Sequence, residues 1–161
     1  MTVEELLGRY AAGERDFGGV NLREVVLEQR FLMEINLNRA DLIGADLNRA
    51  RLQRANLVGA RLRGINLSGT NLTNANLRCA VLEDAILEDA NLSRTNLIEA
   101  NLTNAKLLRA NLFEASVNFI NFRGANLKDA RFFDFMRYFE GVMLSDTIMP
   151  DGSIREGFEL L

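Results

Sequence analysis

The chain offers few side chains with which to do chemistry. Its 161 residues include no histidine and a single cysteine, Cys79. Without imidazole the commonest general base and zinc ligand is missing, and one thiol builds neither a metal site nor an internal disulfide. No P-loop and no dinucleotide-binding G-x-G-x-x-G fingerprint occurs. Cys79 follows Arg78 directly. A thiol whose pKa that guanidinium lowered would be a redox sensor, and otherwise it is a passive surface group. Glu83, Asp84, Glu88 and Asp89 form a dense acidic group with oxygen ligands suited to a cation. Arg63 and Arg109, however, stand twenty residues from Glu83 and Asp89 and supply the opposite charge instead. These residues predict no catalytic residue, no metal, no cofactor and no enzyme.

What remains is recognition. Arg39, Arg49, Arg51, Arg54, Arg61 and Arg63 face only Asp41 and Asp46 over the same stretch, a local excess of four positive charges. Such a band suits phosphate or an acidic partner. No aromatic platform interleaves with it, so a solvated band is favoured over nucleic-acid binding. Late in the chain Leu108, Phe113, Phe119 and Phe133 occupy outward positions, with Phe113 and Phe133 twenty residues apart. Clustered outward aromatics mark an interface, for a protein partner or for a homodimer through the C-terminal end, unless the C-terminal tail folds back over them.

The whole chain sets wider bounds. Nineteen basic residues against 22 acidic ones give a formal net charge of −3, which indicates neither a polybasic nucleic-acid surface nor a membrane surface. The opening MTVEELLGRY is acidic and lacks the parts of a secretory signal, and no run approaches the roughly 20 apolar residues of a membrane span. With one cysteine the chain suits a reducing compartment, and the cytoplasm is the expectation.

The elements that must position all these residues follow from one regularity. Every fifth residue from Phe17 to Phe132 is Leu, Phe or Val, 24 positions without a break. Neither an α-helix nor a flat strand has that period. Two residues before each such centre Ala stands at 15 of 24 places, and one residue before it Asn or Asp stands at 15 of 24. In an extended segment the centre and the minus-two residue share one face while the residue between them points away. The last two residues of each unit, often Gly or polar, then turn the chain. An extended step and a turn every five residues make a polygonal coil, and stacked coils pair through their backbones about 4.8 Å apart. The reading is a solenoid.

Units such as Ala55-Asn56-Leu57-Val58-Gly59 and Ala110-Asn111-Leu112-Phe113-Glu114 resemble the A-(D/N)-L-x-x units of the pentapeptide-repeat family. The resemblance covers residues 15–134, and the overall look is similar to cytoplasmic cyanobacterial members. It implies an all-β solenoid, a right-handed quadrilateral parallel β-helix of about six coils with twenty residues in each. For function it implies a non-catalytic protein-interaction scaffold. The alternative that the family suggests is a DNA-mimicking protector of DNA gyrase, although arginines interrupt the acidic faces here.

An open solenoid exposes its core and its edges, so both ends need covers. At the start, Thr2 and Glu5 fit a capping box and Met1 with Leu6 a hydrophobic staple. Val3, Leu6, Leu7, Tyr10 and Ala11 fall on one helical face, and Gly13 stops the helix, which predicts a capping helix over 2–13. After Phe132 the beat stumbles and resumes two residues out of phase at Phe139, Leu144 and Met149. Residues 135–161 are read as a C-terminal cap and tail, with a turn at Pro150-Asp151-Gly152 and apolar Ile154, Phe158, Leu160 and Leu161 either returning to the end coil or frayed.

Overall fold

A computed structural model describes residues 1–132 and 140–156. Its organising contact is parallel pairing between residues twenty apart. Asp16 bridges Asn36, Asn36 bridges Asn56, and the series runs on through Asn76 and Asn96 to Ser116. Three further series start at Asn21, Val26 and Phe31. Four columns of bridges per twenty residues make a four-sided coil, and the bridging residue is always the one before a centre. Each side touches its neighbour through about one residue. Among the described residues, only at the pair β1 (Asn111–Leu112) and β2 (Arg131–Phe132) does the contact lengthen into a parallel two-residue ladder.

The pentapeptide has a complete hydrogen-bond solution, visible in the unit around Leu37. Leu37 N–H donates to Asn56 C=O at 2.8 Å, and Arg39 N–H to Val58 C=O at 2.9 Å, both on the next coil. Asn36 N–H donates back to Arg15 C=O at 2.7 Å, and Ala40 N–H closes the turn onto Leu37 C=O at 3.1 Å. That leaves the N–H of Asn38, and Asn36 Oδ1 accepts it at 3.2 Å. The same side-chain bond recurs at all fifteen Asn and Asp residues that precede a centre. The Asn or Asp is therefore the partner of the one backbone donor that the coils cannot satisfy. It does point away from the core, as its parity requires, yet it is committed to structure.

Each turn places its last residue at positive φ, for example Arg49 at 54°, Asp89 at 56° and Gly64 at 63°. This is the third position of a β-turn of the type that favours Gly or Asn. Most of these positions here carry charged residues, held in a strained backbone by the pairing on both sides.

Inside, the centres from Phe17 to Leu127 and most of the minus-two residues form one continuous core. Leu42, Leu52, Ala60, Leu67, Leu87 and Leu107 all belong to it and are buried. Where Thr replaces Ala, the hydroxyl is buried and satisfied: Thr70 donates to Leu47 C=O at 2.7 Å and Thr95 to Leu92 C=O at 2.6 Å. In the first coil Arg15 and Arg30 stay exposed, which suits positions with no coil beneath them.

Helix α1 (Val3–Ala11) lies against the open N-terminal end of this core. Leu6 is fully buried, and Met1, Val3, Leu7 and Tyr10 are partly buried against the same core, whereas Ala11 is exposed. Thr2 Oγ1 accepts Glu5 N–H at 3.1 Å, one half of a capping box, while Glu5 turns to Arg9 at 3.7 Å. At the other end Gly13, with φ of 98°, donates to Tyr10 C=O and Glu14 N–H donates to Arg9 C=O. That pair of bonds is a Schellman closure. Tyr10 OH reaches Met33 C=O at 2.9 Å and ties the helix to the first coil.

Beyond residue 139 the stack continues with a two-residue slip. Met143 pairs with Asn121 and Ile148 with Asn126, twenty-two residues apart instead of twenty. Leu144 and Met149 are buried as centres, so two further sides are added above the sixth coil. Thr147, again at a minus-two position, is buried and donates to Phe122 C=O at 2.6 Å. The chain then folds into an antiparallel hairpin, β3 (Thr147–Ile148) against β4 (Ile154–Arg155). Its turn is closed by Gly152 N–H to Met149 C=O at 2.9 Å and by Asp151 Oδ1, which accepts from Ser153 N–H and Oγ–H. Ile154 remains exposed. Phe133, Phe139, Phe158, Leu160 and Leu161 lie outside the described residues.

Candidate functional site

With centres, minus-two residues and Asn/Asp all committed, recognition is left to the two turn positions and to the nine units that carry something else before the centre. The six arginines of the band divide accordingly. Arg61 reaches Asp41 at 3.0 Å, a carboxylate it shares with Arg23 at 3.3 Å. Arg54 pairs with Glu34 at 3.2 Å, and Arg63 with Asp84 at 3.5 Å and Glu83 at 4.0 Å. Arg51 lies over the Phe31 ring, 4.5 Å from its centroid. The expectation that no aromatic interleaves with this band is therefore corrected: Phe31 is separated from Arg51 by one full coil, and only the stacking brings them together. Arg39 and Arg49 alone of the six keep their guanidinium groups unpaired among the described residues. The two stand on turns two sides apart, so the band is not a single basic patch.

The acidic group is likewise distributed. Arg109 grips Asp89 with two bonds of 2.7 and 2.6 Å, and this holds the Asp89 carboxyl below the usual carboxylate range. Glu83 and Asp84 share Arg63, and Glu83 also accepts from Asn101 Nδ2 at 2.8 Å. Among the described residues no three acidic, cysteine or histidine side chains converge as metal ligands would.

Cys79 is exposed, and its thiol donates to Glu99 Oε2 at 3.0 Å. That bond to a carboxylate raises the thiol pKa above its ordinary value, and the opposing pull of Arg78 is weaker because Arg78 is itself engaged by Glu99 at 3.0 Å. That direction is the opposite of the lowering a redox sensor needs, and it favours the passive reading. Glu99, hydrogen-bonded by Cys79 and Arg78, has its pKa lowered in turn.

The late apolar residues occupy separate corners. Leu108 is half-buried, Phe113 is 40% and Phe119 is 47% exposed. The three follow three different centres, Leu107, Leu112 and Val117, and so lie on different turns of the square. Phe119 N–H donates to Glu140 C=O at 2.7 Å, and a Cβ on Gly141 would run into its ring, so the returning chain packs partly over Phe119.

A second apolar group went unread in the sequence. Val26 is 59%, Phe31 61% and Met33 41% exposed, all in the first coil. The signal was present, since Val26 and Phe31 stand where Asn or Asp is the rule. These two residues also lie on the outer edge of the stack. With no coil beneath, their N–H groups find no backbone partner among the described residues.

Among known families, the model for pentapeptide repeats matches in eight copies over residues 35–74, 55–94, 75–112 and 90–129. Solved structures match as well. The pentapeptide-repeat protein Rfr23 from the cyanobacterium Cyanothece 51142 is 29% identical, with 83% of this chain and 97% of that chain covered and a TM-score of 0.54. QnrB1, a plasmid-mediated fluoroquinolone resistance protein, is 16% identical over 88% of each chain with a TM-score of 0.57, a likeness of fold. HetL from the cyanobacterium Nostoc sp. strain PCC 7120 is 26% identical, covering 96% of this chain and 100% of that one, with a TM-score of 0.38. No curated protein matches the chain.

Proposed function

Because the chain belongs to the pentapeptide-repeat family, whose right-handed quadrilateral β-helix accounts for the twenty-residue ladder, we propose that it is a non-catalytic scaffold that docks a protein partner on the rod surface. The observation that carries this reading is the exposed trio Val26, Phe31 and Met33 at an open backbone edge. Natural sheets usually blunt such an edge with charge or cover it. Leaving Val and Phe there, where Asn or Asp stands in most other units, costs solubility and makes sense for a surface that another protein covers. The test is capture from the source organism's lysate with the wild type and with the triple variant Val26→Ser, Phe31→Ser, Met33→Ser. A protein retained by the wild type and lost by the variant supports the reading. Equal retention by both would place the interface elsewhere.

Phe113 and Phe119 support a second interface reading, self-association at the C-terminal half. Light scattering decides it: a monomeric wild type defeats it, and a dimer that Phe113→Ser with Phe119→Ser fails to dissolve defeats it as well. The gyrase-protecting alternative fits the surface less well. Glu34, Asp84, Asp89, Glu99 and Glu114 are each neutralised by an arginine about one coil away, so the faces do not present the run of bare negative charge that a duplex mimic requires. A supercoiling assay titrated with the protein is expected to show no effect on gyrase.

A further inference from the structure

We propose that the notch at Gly69 binds a small zwitterion of the amino-acid class, its carboxylate held by Arg49 and its ammonium by Glu88. The proposal goes beyond the scaffold reading and does not depend on it. The notch has a volume of about 160 Å³ and is lined by Asn48, Arg49, Ser68, Gly69, Glu88 and Asp89. Its origin is a missing side chain. Along this corner of the rod the residues that end each turn read Gln29, Arg49, Gly69, Asp89, Arg109 and Asp129, and Gly69 alone contributes nothing outward. The stem of Arg49 lies across that glycine, its Cγ 3.2 Å from where a Cβ would stand, so a side chain there needs the flexible Arg49 stem to give by a few tenths of an ångström.

The charges around the floor are unequal in what they still lack. Asp89 is already held by Arg109 from the coil above, at 2.7 and 2.6 Å. Asn48 Nδ2 donates to Ser68 C=O at 3.0 Å, and Ser68 Oγ donates to Asn66 Oδ1 at 2.8 Å. Arg49 and the Glu88 carboxylate make no hydrogen bond or ion pair with the described residues. They come from coils two apart, on either side of the Gly69 floor; Glu88 feels the charge of Arg109, but that guanidinium is bonded to Asp89, so neither Arg49 nor Glu88 has a bonded counter-charge of its own. A simple anion attracted to Arg49 would meet Glu88, and a simple cation attracted to Glu88 would meet Arg49. A molecule carrying both charges answers both, with the planar guanidinium fork taking the carboxylate in two parallel bonds. The volume is well below the roughly 300–1,000 Å³ of pockets for drug-sized ligands, which suits a ligand on the scale of a small amino acid.

The test uses the full-length isotope-labelled protein titrated with L-alanine, with acetate and with methylammonium, followed by backbone amide shifts in NMR. With L-alanine the amides of Arg49, Ser68, Gly69 and Glu88 are expected to shift saturably, with half-saturation at about 1–10 mM. Acetate and methylammonium each need at least about tenfold more. Arg49→Gln and Glu88→Gln each weaken binding about tenfold, and Gly69→Asn, which fills the notch with a residue that accepts positive φ, abolishes it. Unchanged spectra elsewhere show that these surface variants remain folded. No saturable shift at about 50 mM L-alanine, acetate binding as tightly as L-alanine, or undiminished binding by Arg49→Gln would each overturn the proposal.

Discussion

Replacing Asn66 by Ala tests the assignment of Asn and Asp as partners of the orphan backbone donor. Asn66 Oδ1 accepts Ser68 N–H at 3.2 Å and Ser68 Oγ–H at 2.8 Å, and its Nδ2 donates to Asp46 Oδ1 at 3.0 Å. The Ser68 hydroxyl can turn to water, so two bonds are lost outright, each with a net worth of about 0.5–1.5 kcal/mol. Asn66→Ala should therefore destabilise the protein by about 1–3 kcal/mol. Asn66→Asp separates the contributions. It keeps the acceptor for Ser68 N–H, loses the donor to Asp46 and sets two carboxylates together, so its penalty at neutral pH should shrink in acid, where one of them protonates. Urea unfolding followed by circular dichroism gives the magnitude, and amide exchange at Ser68 gives a local readout that remains valid if the coils of a repeat protein do not melt together. A loss below about 0.5 kcal/mol for Asn66→Ala, with exchange at Ser68 unchanged, would refute the assignment and leave Asn as a surface preference only.

Further outcomes follow from the same geometry. Leu67→Ala, a buried centre, should cost about 2–5 kcal/mol and lower the melting temperature measured by calorimetry. Two glycines with open space around them should respond oppositely to alanine in thermal melts: Gly64 at φ 63° loses about 1 kcal/mol or more, whereas Gly8 inside α1 gains about 0.5–1 kcal/mol. Cys79 should react with iodoacetamide more slowly at mildly alkaline pH than an unhindered thiol does, and Glu99→Ala should speed it by removing the carboxylate that raises its pKa. Glu14, Asp89 and Glu99 all have pKa values lowered by hydrogen-bonded partners, Arg9 and Arg109 for the first two and Cys79 with Arg78 for the third. Their contribution to stability is complete above the ordinary carboxylate pKa and is lost as pH falls through the lowered values, so acid titration of the melting temperature should decline there.

The five-residue beat by itself determined which residues are core. Period and parity place every centre and minus-two residue on one face, and Leu57, Ala60 and Leu87 are buried as that requires. It also carried the slip after Phe132, because Leu144 and Met149 keep the five-residue spacing on a shifted phase. Coil stacking decided the rest. Whether Asn36 is surface or structure depends on which backbone donors the neighbouring coils leave over, and that is known only when the pairing of every N–H is known. Phe31 meets Arg51, and Cys79 meets Glu99, because twenty residues of chain bring the rod back to the same corner. The residue next along the chain, Arg78, was the wrong neighbour from which to judge the thiol. In a solenoid the sequence sets the period and therefore the inside, while the environment of an outward side chain is set by residues one full coil away.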